Sequence, residues 1–165
     1  MGANIQTQPL VEVYSHQEIG ELLTSRGQCT DVCFLVSIGD PEDALPSGYD
    51  TIVDKLRLTF PDRDDEDGAS EEDVLEIIRA GKRVSDRSGR VLVHCWAGIS
   101  RSSAAAIIMQ MAFLGGGHET TVVESVIAQR PGARPNRRMI GIADRLLHLE
   151  GRLIAAVAEA VPRTD

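Results

Sequence analysis

Residues 104–114 (Ala-Ala-Ala-Ile-Ile-Met-Gln-Met-Ala-Phe-Leu) are apolar on almost every side of a helix. Such a helix has no face to offer to water and belongs in the centre of a domain. Just upstream, Val91-Leu92-Val93 has the apolar, β-branched character of a buried strand and runs into His94 and Cys95. Strand and helix must therefore be buried side by side, joined by a loop of only a few residues. A layered α/β arrangement meets that demand directly.

The rest of the chain repeats the alternation. Leu10 to Tyr14 reads as a short strand, and Ser15 with Glu18 forms a capping box for a helix running to about Ser25 and ending at Gly27. Residues 31–38 are nearly continuously apolar, as in a central strand covered on both faces. Leu56, Leu58 and Phe60 alternate with Lys55, Arg57 and Thr59, the mark of a strand with one buried face. After an acidic loop (residues 62–67), Ser70 and the acidic Glu71, Glu72 and Asp73 start a helix with Val74, Ile77 and Ile78 inward. A helix over 121–130 stops at Pro131, and a last one is expected from about Asn136 to Ala160, with Gly151 as a bend. The expected fold class is α/β, with a central, partly parallel sheet of about four to five strands flanked by helices. At 165 residues with no repeat or linker, 1–165 is expected to be a single domain.

Charge and cysteine usage exclude several function classes. With 25 acidic against 17 basic residues the net charge is −8, opposite to what a nucleic-acid or anionic-membrane surface requires. A phosphate bound by one arginine and a helix terminus remains compatible with it. The three cysteines, Cys29, Cys33 and Cys95, are too few for a disulfide framework and point to a reducing compartment. They and the four histidines lack zinc-ligand spacing. No apolar run is long enough to span a bilayer, and residues 1–6 lack the basic and apolar regions of a secretory signal. Gly2 is followed by Gln6 where a myristoylation site carries Ser or Thr. The expected localisation is cytoplasmic.

The loop after Cys95 carries the chemistry. Residues Trp96, Ala97, Gly98, Ile99 and Ser100 separate Cys95 from Arg101, enough to curl successive backbone N–H groups inward above a helix N-terminus. Inward amides and a helix dipole make an anion nest suited to phosphate. Gly98 gives the curl its freedom in φ, and the guanidinium of Arg101 fits two phosphate oxygens. The same field favours the thiolate of a cysteine, the nucleophilic form. Ser102 is placed to donate to the sulfur, and His94 to orient the loop.

His94-Cys95-x5-Arg101-Ser102 resembles the signature of the cysteine-dependent protein tyrosine and dual-specificity phosphatases. The likeness extends from about Val32 to Leu149, and residues 130–136 (Arg-Pro-Gly-Ala-Arg-Pro-Asn) look like the turn before that superfamily's last helix. The resemblance implies a phosphotyrosine-phosphatase-like fold and a general acid, an Asp a little over thirty residues before the cysteine in compact members. Asp62 lies 33 residues upstream (95 − 62), Asp64 31 and Asp65 30. Asp62 follows the strand end Phe60-Pro61 and is the preferred candidate, with Asp65 and then Asp64 behind it.

The implied reaction is phosphomonoester hydrolysis through a phosphocysteine on Cys95, with Arg101 and the loop amides as clamp and Asp62 as acid and then base, without metal or other cofactor. The expected substrate is a phosphorylated protein or small aromatic phosphoester, and the protein is expected to be a monomer. Phosphoinositide-specific members carry lysines in the loop; this chain has none there, and Trp96 offers apolar area at the rim or against the core. The alternatives are a catalytically weak phosphate-binding module and a sulfur- or arsenic-handling enzyme. The latter needs a different loop length or a resolving cysteine, and Cys29 or Cys33 could serve only within disulfide reach of Cys95.

Overall fold

A computed structural model describes residues 8–163, so the N-terminal residues 1–6 considered above lie outside the described residues. The order of elements is β1 (Leu10–Tyr14), α1 (His16–Thr24), β2 (Val32–Gly39), β3 (Lys55–Thr59), α2 (Glu71–Val84), β4 (Arg90–His94), α3 (Arg101–Leu114), α4 (Glu119–Gln129), α5 (Arg137–Leu146) and α6 (Arg152–Ala160). The four strands form one sheet in the order β1-β4-β2-β3. Every pair is parallel, with Val93 opposite Val13 and Val36. The sheet expected to be partly parallel is thus parallel throughout its four strands. Its C-terminal edge collects the residues that follow each strand: Ser15, Asp40, Phe60 and Cys95. In parallel α/β sheets that edge is where ligands bind.

Both faces of the sheet are covered, which explains the unbroken apolar run of β2. Phe34, Val36 and Ile38 of β2 with Val91 and Val93 of β4 belong to the larger core, together with residues of α2 to α6. Leu35 and Leu92, on the opposite face, pack with Ile19 and Leu23 of α1 and with Ile52. Helix α3 is the centre of the larger core, with Ala104 to Met109 fully buried. Its tight approach to α2 depends on Gly81, where a Cβ would lie 2.8 Å from the Met109 carbonyl oxygen.

Helix boundaries follow their caps. Ser15 and Glu18 form the expected capping box of α1, and Ser70 forms one with Asp73 at α2. The single last helix expected over 136–160 is instead two, α5 and α6. The chain turns through His148 and Glu150, both at positive φ, and Gly151. Asp144, 4% exposed, stabilises the break. Its carboxylate accepts from the backbone N–H of Gly151 (2.8 Å), Leu153 (2.9 Å) and Ile154 (3.1 Å), the otherwise unpaired donors of the first turn of α6. An acceptor seven to ten residues before its partners leaves no trace in hydrophobic periodicity.

Candidate active site

Strand β4 delivers Cys95 to the C-terminal edge, and α3 begins at Arg101, so the loop 95–100 lies over the N-terminus of the most buried helix. Its carbonyl groups are held from outside. Trp96 O accepts from the N–H of His16 (3.0 Å), Ile99 O from Arg134 (2.9 Å) and Ser100 O from Asn136 (3.1 Å). Gly98 O accepts from Nε of Arg130 at 3.1 Å. Among the described residues no protein acceptor takes the N–H groups of residues 96–101. With the carbonyls tied outward, these donors are left for an anion to satisfy, as a nest requires. Gly98 is at φ 70°, and a Cβ there would lie 2.7 Å from the backbone nitrogen of Ser15, so both conformation and room demand glycine.

Arg130 acts as an outer brace. Besides Gly98 it bonds Glu18 through both terminal nitrogens, at 2.8 and 2.6 Å. These bonds, ahead of the opposing effect of burial, lower the Glu18 carboxyl to a pKa of about 2. The capping residue of α1 is thereby joined to the loop.

Inside the nest, Cys95 is 2% exposed, and its Sγ lies 3.0 Å from Oγ of the fully buried Ser102. Arg101 is 5% exposed. Its Nη1 donates to Oδ1 of Asp40 and to the Phe60 carbonyl, both at 2.7 Å. Its Nε, by contrast, is buried with no partner, and no other buried side-chain nitrogen or oxygen among the described residues is so. One end of the guanidinium is fixed while another N–H still lacks an acceptor. Such a deficit costs about 1–3 kcal/mol, and an anion in the nest would remove it.

His94 is 1% exposed. Nδ1 lies 3.1 Å from the Cys95 carbonyl oxygen, which only accepts, so this nitrogen carries the proton. Nε2, 2.6 Å from Ser37 Oγ, then accepts from the serine, whose oxygen in turn accepts from Arg57 Nη1 at 2.8 Å. Burial foremost, with the nearby guanidinium groups of Arg57 and Arg101 acting in the same direction, pushes the imidazole down to a pKa of about 4. It is neutral near pH 7 and serves as a donor to the loop.

Of the three acidic candidates, Asp62 faces the loop. Its Oδ1 accepts from Ser100 Oγ (2.7 Å) and from Nδ2 of Asn136 (2.8 Å). Asp65 turns away onto Arg63 at 2.6 Å, and that bond lowers its carboxyl. Asp64 accepts from the backbone N–H of Arg137 at 3.2 Å. Trp96 is 55% exposed and stacks on His16 at 4.5 Å between centroids, so it belongs to the rim and not to the core. Cys33 lies at the opposite end of β2, next to Arg90 and Val91 of β4 in register. Four to five strand rises separate it from the Cys95 level, roughly 13–17 Å, and Cys29 precedes it at that same end. Neither is within disulfide reach of Cys95, which leaves the sulfur- or arsenic-handling alternative without a resolving cysteine.

Sequence reasoning missed Asp40, Ser37 and Asn136 as partners of the site. Asp40 and Ser37 had one available signal, their place at the C-terminal end of a central strand.

No protein-family model matches the chain, and no curated protein matches it in sequence. Solved structures do. Human DUSP28 is similar at 19% identity and a TM-score of 0.60, over 93% of this chain and 98% of that one. DUSP15 matches at 21% identity and 0.58, over 96% of each chain. Tk-PTP in its active form matches at 21% and 0.59, over 86% of this chain and 94% of that one. The chain has the fold of the compact tyrosine and dual-specificity phosphatases.

Proposed function

We propose that the protein is a metal-independent phosphomonoester hydrolase of the tyrosine or dual-specificity type. Support comes chiefly from the nest of unclaimed N–H groups over Cys95 together with the partnerless Nε of Arg101. An oxyanion with three equatorial oxygens gives those donors their acceptors. The Cys95 sulfur, as thiolate, forms the S–P bond while the P–O bond to the leaving group breaks. Asp62 gives its proton to the departing oxygen. As carboxylate it then takes a proton from water, which attacks phosphorus; the S–P bond breaks and inorganic phosphate leaves. Ser102, 3.0 Å from the sulfur, donates to it as it departs. His94 and Asp40 position the loop and the clamp and touch no substrate.

Trp96, 55% exposed at the rim of the loop, suits a dual-specificity enzyme acting on phosphorylated protein or small aromatic phosphoesters. The test is hydrolysis of p-nitrophenyl phosphate in the presence of EDTA. Wild-type protein turns it over and Cys95→Ser does not. Asp62→Ala lowers kcat by roughly 10²–10⁴-fold and removes the basic limb of the pH–rate profile, while Asp65→Ala leaves both. Metal-dependent turnover, or activity surviving Cys95→Ser, overturns the mechanism. Tight phosphopeptide binding by wild-type protein without turnover marks a phosphate-binding module instead.

A further inference from the structure

Arg57, Ser37 and His94 stand side by side on three adjacent strands. The register sets Ser37 of β2 opposite Arg57 of β3 and opposite His94 of β4. The guanidinium of Arg57 is bonded to Ser37 and Asp43, not to Cys95 or Arg101. Two chains of hydrogen bonds nevertheless lead from it to both of them.

The first chain runs to the nucleophile. Nη1 of Arg57 donates to Ser37 Oγ at 2.8 Å. A guanidinium has donors only and keeps its charge, so the serine accepts from it and turns its own hydrogen to Nε2 of His94, 2.6 Å away. Nδ1 of His94 then carries the proton that it donates to the Cys95 carbonyl at 3.1 Å. Ser37 and His94 are buried, so solvent offers neither of them another partner. Burial is the first cause of the lowered His94 pKa, and the charge of Arg57 adds to it.

The second chain runs to the clamp. Nη2 of Arg57 donates to the Asp43 carbonyl at 3.4 Å. Asp43 closes a turn on Asp40: its Oδ2 accepts from the Asp40 N–H at 2.9 Å, and its own N–H donates to the Asp40 carbonyl at 3.0 Å. Asp40 Oδ1 accepts from Nη1 of Arg101 at 2.7 Å. The chain is built to seat this guanidinium. A Cβ at Gly39 would lie 2.8 Å from Nη2 and 3.3 Å from Nη1 of Arg57, so any side chain there displaces it.

We propose that Arg57 is a positioning residue for both halves of the site, orienting the Cys95 loop through Ser37 and His94 and the Arg101 clamp through the Asp40–Asp43 turn. The inference deepens the phosphatase reading and rests on it. A planar fork can serve two acceptors at once, which the single ammonium of a lysine cannot match.

The experiment compares wild-type protein with Arg57→Met, Arg57→Lys, Gly39→Ala and Ser37→Ala. Nitrogen NMR of the His94 ring reads the first chain, because tautomer and hydrogen bonding set its two resonances. Calorimetric binding of inorganic phosphate reads the second, with kcat and KM for p-nitrophenyl phosphate alongside. Arg57→Met is expected to shift the Nε2 resonance and to weaken phosphate binding about tenfold, with kcat/KM falling in parallel. Gly39→Ala, by displacing the guanidinium, should do the same. Ser37→Ala should shift the His94 resonances and leave phosphate affinity within about twofold. Arg57→Lys should keep the bond to Ser37, and with it the Nε2 resonance, but lose phosphate affinity. If Arg57→Met alters neither reading, or only one, the joint role is overturned, whatever the change in its urea midpoint. Should Arg57→Met not fold, Arg57→Lys and Gly39→Ala decide, and wild-type behaviour of either in both readings overturns it as well. Absence of all turnover by wild-type protein, with both readings as expected, refutes the hydrolase reading and leaves the role of Arg57 standing.

Discussion

Lowering the pH from 7 to 5 should destabilise the protein through His94 in particular. The imidazole is 1% exposed and hydrogen-bonded on both nitrogens in its neutral form, and its pKa is lowered from 6.5 to about 4. Because the folded value lies below the unfolded one, the unfolded chain binds the extra proton first. The stabilisation from keeping His94 neutral is complete above pH 6.5 and is lost as pH falls toward 4. With those two values, proton linkage gives a loss of about 2 kcal/mol between pH 7 and 5, and about 3 kcal/mol by pH 4. Glu18, lowered from 4.5 to about 2, acts in a more acidic window. The assay is urea denaturation at both pH values for wild type and His94→Gln, whose amide retains one donor and one acceptor but does not titrate. The variant should be less stable at pH 7, yet lose about 2 kcal/mol less than wild type on going to pH 5. Contributions from the other histidines cancel in the difference. Equal losses in the two proteins would refute the assignment of His94 as a buried neutral donor.

Asp40→Ala should raise the inhibition constant of inorganic phosphate roughly tenfold by removing one of the two bonds that hold Nη1 of Arg101, as expected for loss of a charge-assisted bond. With Asp40 36% exposed, stability should change by less than about 1 kcal/mol; unaltered phosphate inhibition would dismiss Asp40 as a positioning residue. Asp144→Ala should cost about 2 kcal/mol in urea denaturation, since three backbone N–H groups at the start of α6 lose their acceptor. A change under 0.5 kcal/mol, roughly the scale of an ordinary surface substitution, would rule out that cap. Gly81→Ala gains about 1 kcal/mol in helix propensity, but its Cβ would meet backbone of α3 at 2.8 Å, and overpacking costs about 1–3 kcal/mol. Because backbone cannot swing aside, the net effect should be destabilising, and a rise in the urea midpoint would contradict the close α2–α3 contact.

Short-range chemistry was legible in the sequence: the capping box at Ser15, the N-cap at Ser70, the doubly covered strand β2, and the all-apolar α3 each follow from residues within a few positions. The loop was legible for the same reason, since Cys95, Gly98, Arg101 and Ser102 all act within eight residues. Long-range partners were not. Asp40 reaches Arg101 across 61 residues and Asn136 reaches Asp62 across 74, and only the parallel sheet order brings them to one edge. The acidic loop shows the same limit. Composition could not separate Asp62 from Asp65, whereas Arg63, by pairing with Asp65, leaves Asp62 turned to Ser100. The break between α5 and α6 was hidden because the apolar stripe continues through it, while Asp144 and the positive φ of His148 and Glu150 redirect the backbone.

The most direct measurement is acid-quench trapping of the phosphoenzyme during hydrolysis of p-nitrophenyl phosphate, followed by peptide mass mapping. In wild-type protein and in Asp62→Ala, one phosphoryl group is expected on Cys95, bound through sulfur, and none in Cys95→Ser. A phosphoryl group on Ser102 or on a histidine, or steady turnover with no covalent intermediate on Cys95, would contradict nucleophilic catalysis by this cysteine.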